Sequence, residues 1–192
     1  MRNILRHILI PIVGLATILG TGILWAGGPA DRQEQTHGYG LGRPATDQEV
    51  RAWNIDVAPT GEGLPAGQGT AKQGATLFSA RCATCHGPTG QEGPMDRLVG
   101  GLGTLASEHP IKTIGSYWPY ATTLYDYVHR AMPFPAPQSL SPDEVYSIVA
   151  WLLYRNGIIA EDTVLDARSL PGISMPNRRG FLPDPRPDVP KP

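Results

Sequence analysis

The pentapeptide Cys82-Ala83-Thr84-Cys85-His86 constrains this chain more than any other stretch. Two thiols two residues apart, followed at once by an imidazole, form the attachment pattern for a covalent c-type haem. Each thiol adds across one vinyl group, and a helical turn sets the sulfurs at the spacing of the vinyls. His86 on the same turn reaches the iron as proximal ligand. A chain carrying such a group must build its fold around a flat apolar body. A structural zinc site would need four ligands, and these are the only cysteines in the chain. A thioredoxin-like redox pair would follow a strand in a βαβ unit, and nothing upstream reads as that strand.

Composition agrees. Glycine (23) and proline (20) are abundant among 192 residues, so the chain is expected to be rich in loops and short of apolar core. A covalent porphyrin makes up that deficit. A net charge of −1 suggests neither a nucleic-acid-binding face nor an acidic tail. With both thiols assigned to haem, none is left for a disulfide, and cysteine usage does not fix the compartment.

The N-terminus does. Arg2, Arg6 and His7 precede an uncharged apolar run over 8–25. As a helix this run is about 27 Å long, close to a bilayer core. Its positive flank stays in the cytoplasm and the rest is exported. The run is longer than a signal core, and cleavage after Ala26 would put Leu24 where a small residue belongs. A retained anchor on the periplasmic side of a bacterial inner membrane is therefore expected; the alternative is a soluble periplasmic protein after cleavage. Residues 26–69 hold no sustained period beyond a short helix at 46–53, although Leu41, Trp53, Ile55 and Val57 argue that part of this segment folds back.

Residues 70–81 read as a helix capped by Thr70, with Gly74, Phe78 and Cys82 on one face. The loop 87–103 follows, and the Pro94 carbonyl is the expected acceptor for the second ring nitrogen of His86. Tyr117, Trp118 and Tyr120 are expected to wall the haem. Residues 122–131 read as a helix, ending at Met132 before the proline-stiffened Pro133-Phe134-Pro135-Ala136-Pro137. A soft, neutral thioether raises the iron's potential, and Met132 is the expected sixth ligand. His109 and His129 offer a bis-histidine alternative but read as surface residues. Met95 lies near the proximal side and Met175 in the tail. Ser141-Pro142-Asp143-Glu144 caps a last helix, with Val145, Ile148, Val149 and Leu152 at helical spacing and Asn156-Gly157 at its end. Trp151 and Tyr154 are placed to meet Phe78. A proline-rich tail over 171–192 is expected to run extended over the surface or dock on a partner.

These residues resemble a class I cytochrome c over 70–157. The resemblance implies an all-α fold of three to five helices around one covalent haem c. To this the chain adds an N-terminal transmembrane helix and loop-rich extensions. It also implies a glycine–aromatic crossing of the first and last haem-domain helices. The organisation is then 1–30 anchor or signal, 31–69 linker and pre-haem segment, 70–160 haem domain, and 161–192 extension.

A closer resemblance rests on Gly38-Tyr39-Gly40-Leu41-Gly42-Arg43-Pro44, Ala52-Trp53-Asn54-Ile55-Asp56-Val57, Thr113-Ile114-Gly115-Ser116-Tyr117-Trp118-Pro119-Tyr120, Arg130-Ala131-Met132-Pro133-Phe134 and Met175-Pro176-Asn177-Arg178. Over 38–181 the chain is similar to the cytochrome subunits of Sox-type sulfite and sulfane dehydrogenases. That similarity implies a molybdenum-cofactor partner subunit that oxidises sulfite or sulfane sulfur, and a downstream respiratory carrier or oxidase. The chain would carry electrons without being an enzyme on its own. Many such relatives hold two haems, whereas this chain has one C-x-x-C-H, and the anchor is not a general feature of them. The competing readings are a general anchored cytochrome feeding a terminal oxidase, and a catalytic haem, such as a peroxidase or thiosulfate dehydrogenase, with an open sixth site.

Overall fold

The computed structural model describes Tyr39 and residues 41–188. The apolar run 8–25 lies outside the described residues. Among those described, no helix is long and apolar enough to cross a membrane. The chain divides after Pro44 into two units, and the described residues of the first contain no helix or strand. Every element below belongs to the second.

The core is organised on α6 (Pro142–Arg155), whose residues from Val145 to Leu153 are all buried. Its start is set by Ser141, which accepts from the Glu144 N–H while Glu144 caps back onto the Ser141 N–H at 2.8 Å. Its end is a Schellman turn: Gly157, at φ 68°, donates to the Tyr154 carbonyl, and Ile158 donates to that of Leu153. Across it lies α2 (Ala71–Arg81), capped by Thr70 and Gln73 in the same reciprocal way. A Cβ built on Gly74 would stand 1.9 Å from the Ser147 carbonyl oxygen and 2.7 Å from the Trp151 Cβ. The missing side chain is what lets the two backbones touch. One turn further on, Phe78 stacks on Trp151 with ring centroids 3.9 Å apart. The expected glycine–aromatic crossing is therefore present, with Trp151 rather than Tyr154 as the ring partner.

Two three-residue strands stand beside the expected helices. β1 (Gln68–Thr70) pairs antiparallel with β2 (Val164–Asp166), placing Gly69 opposite Leu165. Behind β2 come a 3₁₀ turn (Leu170–Gly172) and Met175. Leu165, Leu170 and Met175 are at most 2% exposed, so the chain after 160 joins the same core as the haem helices.

The segment before β1 also folds back. α1 (Asp47–Trp53), capped by Thr46, buries none of its side chains, and Trp53 is 85% exposed. From Ile55 onward the chain lies on α5 (Ala121–Ala131). The Val57 N–H donates to Asp126 at 2.9 Å, Thr122 donates to the Pro59 carbonyl, and the Tyr146 hydroxyl reaches the Pro65 carbonyl at 2.9 Å. Of the four apolar residues that argued for folding back, Val57 is buried and Ile55 half-buried, while Leu41 and Trp53 stay exposed.

Candidate haem site

The cysteine turn begins where α2 stops. Cys82 caps α2 and donates to the Phe78 carbonyl, but its φ of −123° breaks the helix. The chain restarts at once as α3 (Ala83–His86), with the N–H groups of Cys85 and His86 both on the Cys82 carbonyl, at 3.1 and 3.0 Å. Both thiols and the imidazole thus sit on one tight turn whose position is fixed by the Phe78–Trp151 stack behind it. Cys82 and Cys85 are half-buried free thiols. Burial first, then the neighbouring Cys85, pushes the Cys82 pKa up to about 11. The unattached Cys82 thiol is therefore held in its protonated form.

The loop after His86 doubles back under the turn. Gly87 turns the chain at φ 77°, and Glu92 gathers the loop by accepting from the Thr89 hydroxyl, the Thr89 N–H and the Gln91 N–H. These bonds, the Thr89 hydroxyl foremost, hold the Glu92 pKa below the usual carboxylate value. A Cβ on Gly93 would lie 2.0 Å from the Cys85 carbonyl oxygen, so only glycine passes there. Met95 then donates to that same oxygen at 3.0 Å.

This path brings the carbonyl of Asp96 to 2.8 Å from His86 Nδ1. The expected acceptor, Pro94, is displaced, because the Gly93 crossing and the Met95 bond carry the chain two residues further before a carbonyl faces the ring. Pro94 itself is exposed. A carbonyl can only accept, so Nδ1 carries the proton and Nε2 keeps its lone pair for a metal.

Asn156 secures this loop from the core side. Its Oδ1 accepts from the Gly100 N–H at 3.0 Å, while Nδ2 donates to the Leu98 carbonyl at 3.2 Å and to the Leu152 carbonyl at 2.9 Å. The side chain is 3% exposed. Thr113, the cap of α4 (Ile114–Tyr117), donates to the Gly100 carbonyl at 2.6 Å. The sequence marks Asn156 as a helix terminator but gives no sign of this second duty.

Met132 caps α5, with its N–H on the Val128 carbonyl at 3.1 Å and its backbone extended (φ −119°, ψ 148°). It is half-buried and packs against the core, as do Cys82, Ala83, Leu98 and Trp118. The residues present fit a haem: two half-buried thiols on one turn, an imidazole with its tautomer set, and half-buried apolar side chains from four separate segments. Among the described residues no group of three or more His, Cys, Asp or Glu side chains gathers to hold a bare ion instead.

The aromatic stretch is engaged by the chain's own C-terminal segment. The Tyr117 ring meets Phe181 edge-on at 5.2 Å, its carbonyl accepts from Asn177 at 2.7 Å, and the Arg178 guanidinium lies 4.1 Å over Tyr120. Trp118 packs edge-on against Tyr127 at 5.7 Å. All three residues of the expected wall are half-buried. His109 is exposed, His129 sits 6.0 Å from the Tyr125 ring, and Met95 is 59% exposed.

A helical domain closed by a glycine crossing, with a C-x-x-C-H turn at the end of its first haem helix, defines a c-type cytochrome. Residues 69–152 match the family model of cytochrome c oxidase, cbb3-type, subunit III. The crystal structure of the sulfane dehydrogenase SoxCD from Paracoccus pantotrophus contains a chain similar to this one, at 48% identity and a TM-score of 0.72. The match covers 78% of this chain and 74% of that one. No curated protein matches. The chain belongs to the c-type cytochromes, in the family represented by that sulfane dehydrogenase chain. It carries one covalent haem c and transfers electrons.

Proposed function

We propose that this cytochrome is the electron-accepting subunit of a molybdenum-cofactor dehydrogenase that oxidises sulfite or sulfane sulfur. It passes electrons one at a time to a downstream respiratory carrier or oxidase. The carrying observation is the likeness to the sulfane dehydrogenase chain, which extends well beyond the haem domain at 48% identity. A general electron carrier would share the haem turn and the helix crossing, but it would not need the flanking segments that also match. Residues 8–25 anchor the protein on the periplasmic face of the inner membrane; the soluble periplasmic form is the alternative.

Cys82 and Cys85 would tether the haem, and His86 and Met132 would supply the two protein ligands of its iron. The haem supplies a one-electron Fe(III)/Fe(II) couple. The chain's own part is to keep that couple closed to other chemistry. Asp96 holds the His86 tautomer through the Nδ1 proton, and Ala83, Leu98 and Trp118 would help to keep water off a bound haem. No residue of the chain is assigned bond-making on a substrate, and the electron leaves by outer-sphere transfer.

The test is purification of the native protein from membranes. A co-purifying molybdenum protein, with haem reduction on adding sulfite or a sulfane-sulfur donor, supports the proposal. A terminal oxidase as companion, with no reduction by either donor, would establish the competing reading that the subunit III family match favours. Rapid binding of carbon monoxide to the reduced protein would instead expose an open sixth site.

A further inference from the structure

Between Met132 and the next buried residue, Leu140, the chain runs over the surface: residues 134–139 are all exposed. The packed backbone nearest the thioether is therefore the last turn of α5. From the core side this turn is held by Val128, which is 6% exposed. From the outer side it is held by charge. Thr122, Asp126 and Arg130 recur every fourth residue on one stripe of α5, and the strap 56–59 lies along that stripe in the opposite direction. Arg130 Nη2 donates to Asp56 Oδ1 at 2.6 Å and to Asp126 Oδ1 at 2.7 Å, and its Nε donates to Asp126 Oδ2 at 3.2 Å. The fork therefore grips Asp126 with two nitrogens while reaching the strap with one of them.

The strap end of this contact is itself rigid. The Ala58 N–H donates to the Glu62 carbonyl at 2.9 Å, and Gly61 donates back to the Ala58 carbonyl at 2.9 Å. Gly63 packs so closely on Asp56 that a Cβ there would lie 1.9 Å from the Asp56 carbonyl oxygen. The Asp56 backbone is thus packed in place, while its carboxylate reaches Arg130 from the surface.

We infer that Arg130 is a positioning residue for the sixth ligand: by pinning the last turn of α5 to the strap it keeps the Met132 sulfur over the iron. This rests on Met132 as the ligand proposed above. A merely structural ion pair would add a little stability wherever it sat along the stripe. A positioning pair acts on the ligand two residues away and not through the far end at Thr122.

The experiment measures binding of exogenous imidazole to the ferric holoprotein, alongside the red Fe–S charge-transfer band. Apparent affinity for an incoming ligand scales with the fraction of molecules whose sixth site is open. Arg130→Gln and Asp126→Asn should each tighten imidazole binding about fivefold, equivalent to about 1 kcal/mol, and weaken the band. Asn at 126 keeps an oxygen for the Val57 N–H but puts an amide N–H donor where Oδ2 accepted from Arg130 Nε, so that variant removes the charge and half of the Arg130 grip while keeping the strap. Thr122→Val should stay within twofold of wild type. If Arg130→Gln fails to fold, Asp126→Asn and Arg130→Lys carry the measurement. Two results overturn the inference: Arg130→Gln and Asp126→Asn both within twofold of wild type, or Thr122→Val as large as Arg130→Gln. Met132→Ala separates the two readings. If it opens the site while the Arg130 and Asp126 variants do not, only the positioning role falls. If it leaves band and affinity unchanged, the ligand assignment falls with it.

Discussion

Gly74→Ala tests the crossing on which the haem turn hangs, and helix propensity and packing disagree about its sign. Propensity alone favours alanine in the middle of α2 by about 1 kcal/mol. Packing opposes it. The new methyl would sit 1.9 Å from the Ser147 carbonyl oxygen, 2.6 Å from its carbon and 2.7 Å from the Trp151 Cβ. Two of these three atoms are backbone and cannot rotate away, so α2 and α6 must separate, by roughly 1 Å or more. Overpacking of this kind costs about 1–3 kcal/mol. Separation also opens the Phe78–Trp151 stack, and a gap of that size forfeits roughly a quarter to a half of the contact energy. With each ring's burial contributing about 1.5–3 kcal/mol, the stack loses about 1–3 kcal/mol more. Net of propensity, the variant should be less stable by about 1–5 kcal/mol, a fall in Tm of roughly 2–20 °C for a domain of this size. The assay is chemical denaturation of the holoprotein followed by far-ultraviolet circular dichroism, with the denaturant slope checked for constancy. A midpoint unchanged or raised would refute the close-contact argument and leave propensity in charge.

Three further outcomes are expected. Met132→Ala should abolish the ferric Fe–S charge-transfer band and lower the reduction potential; an unaltered spectrum removes Met132 from the iron. Asn156→Leu takes the side-chain partner from the half-buried Gly100 N–H and Leu98 carbonyl, each lost bond costing about 0.5–1.5 kcal/mol, and should speed hydrogen exchange of the Gly100 amide; unchanged exchange would show that the loop holds itself. The Asp166 carboxylate accepts the N–H groups of Ser169 and Arg168, and these bonds hold its pKa below the ordinary carboxylate value. A depressed folded pKa stabilises above the unfolded value and loses that contribution as pH falls through the folded one. Asp166→Asn should therefore lower stability at neutral pH and flatten the acid limb of the stability–pH curve, read as denaturation midpoints between about pH 2 and 6; parallel curves would contradict it.

What the sequence made legible was whatever is carried by side chains at fixed spacing. The haem turn, the capping boxes at Thr70 and Ser141, and the bare face at Gly74 can all be read from residue types alone. The acceptor for His86 could not. It is a main-chain carbonyl, and every residue from 94 to 96 has one; the choice was made by how the loop crosses at Gly93. Asn156 reads as a terminator because that signal is local, whereas its bonds to residues 98 and 100 depend on the loop's return. The segment after 160 hid its burial because Leu165, Leu170 and Met175 follow neither the period of a strand nor that of a helix. Each reaches the core from a different short piece of backbone. Three-residue strands and the four-residue α4 are too short to show any period.

Thr70 has two employments at once. It closes β1 opposite Val164, and its hydroxyl starts the helix that ends in the haem turn. The downstream flank is thereby soldered to the first turn of the porphyrin-bearing rod. Peeling residues 164–166 away disturbs that rod at its root, so a proteolytic nick in the late part of the chain would be felt at the cofactor, and the two ends of the domain melt as one.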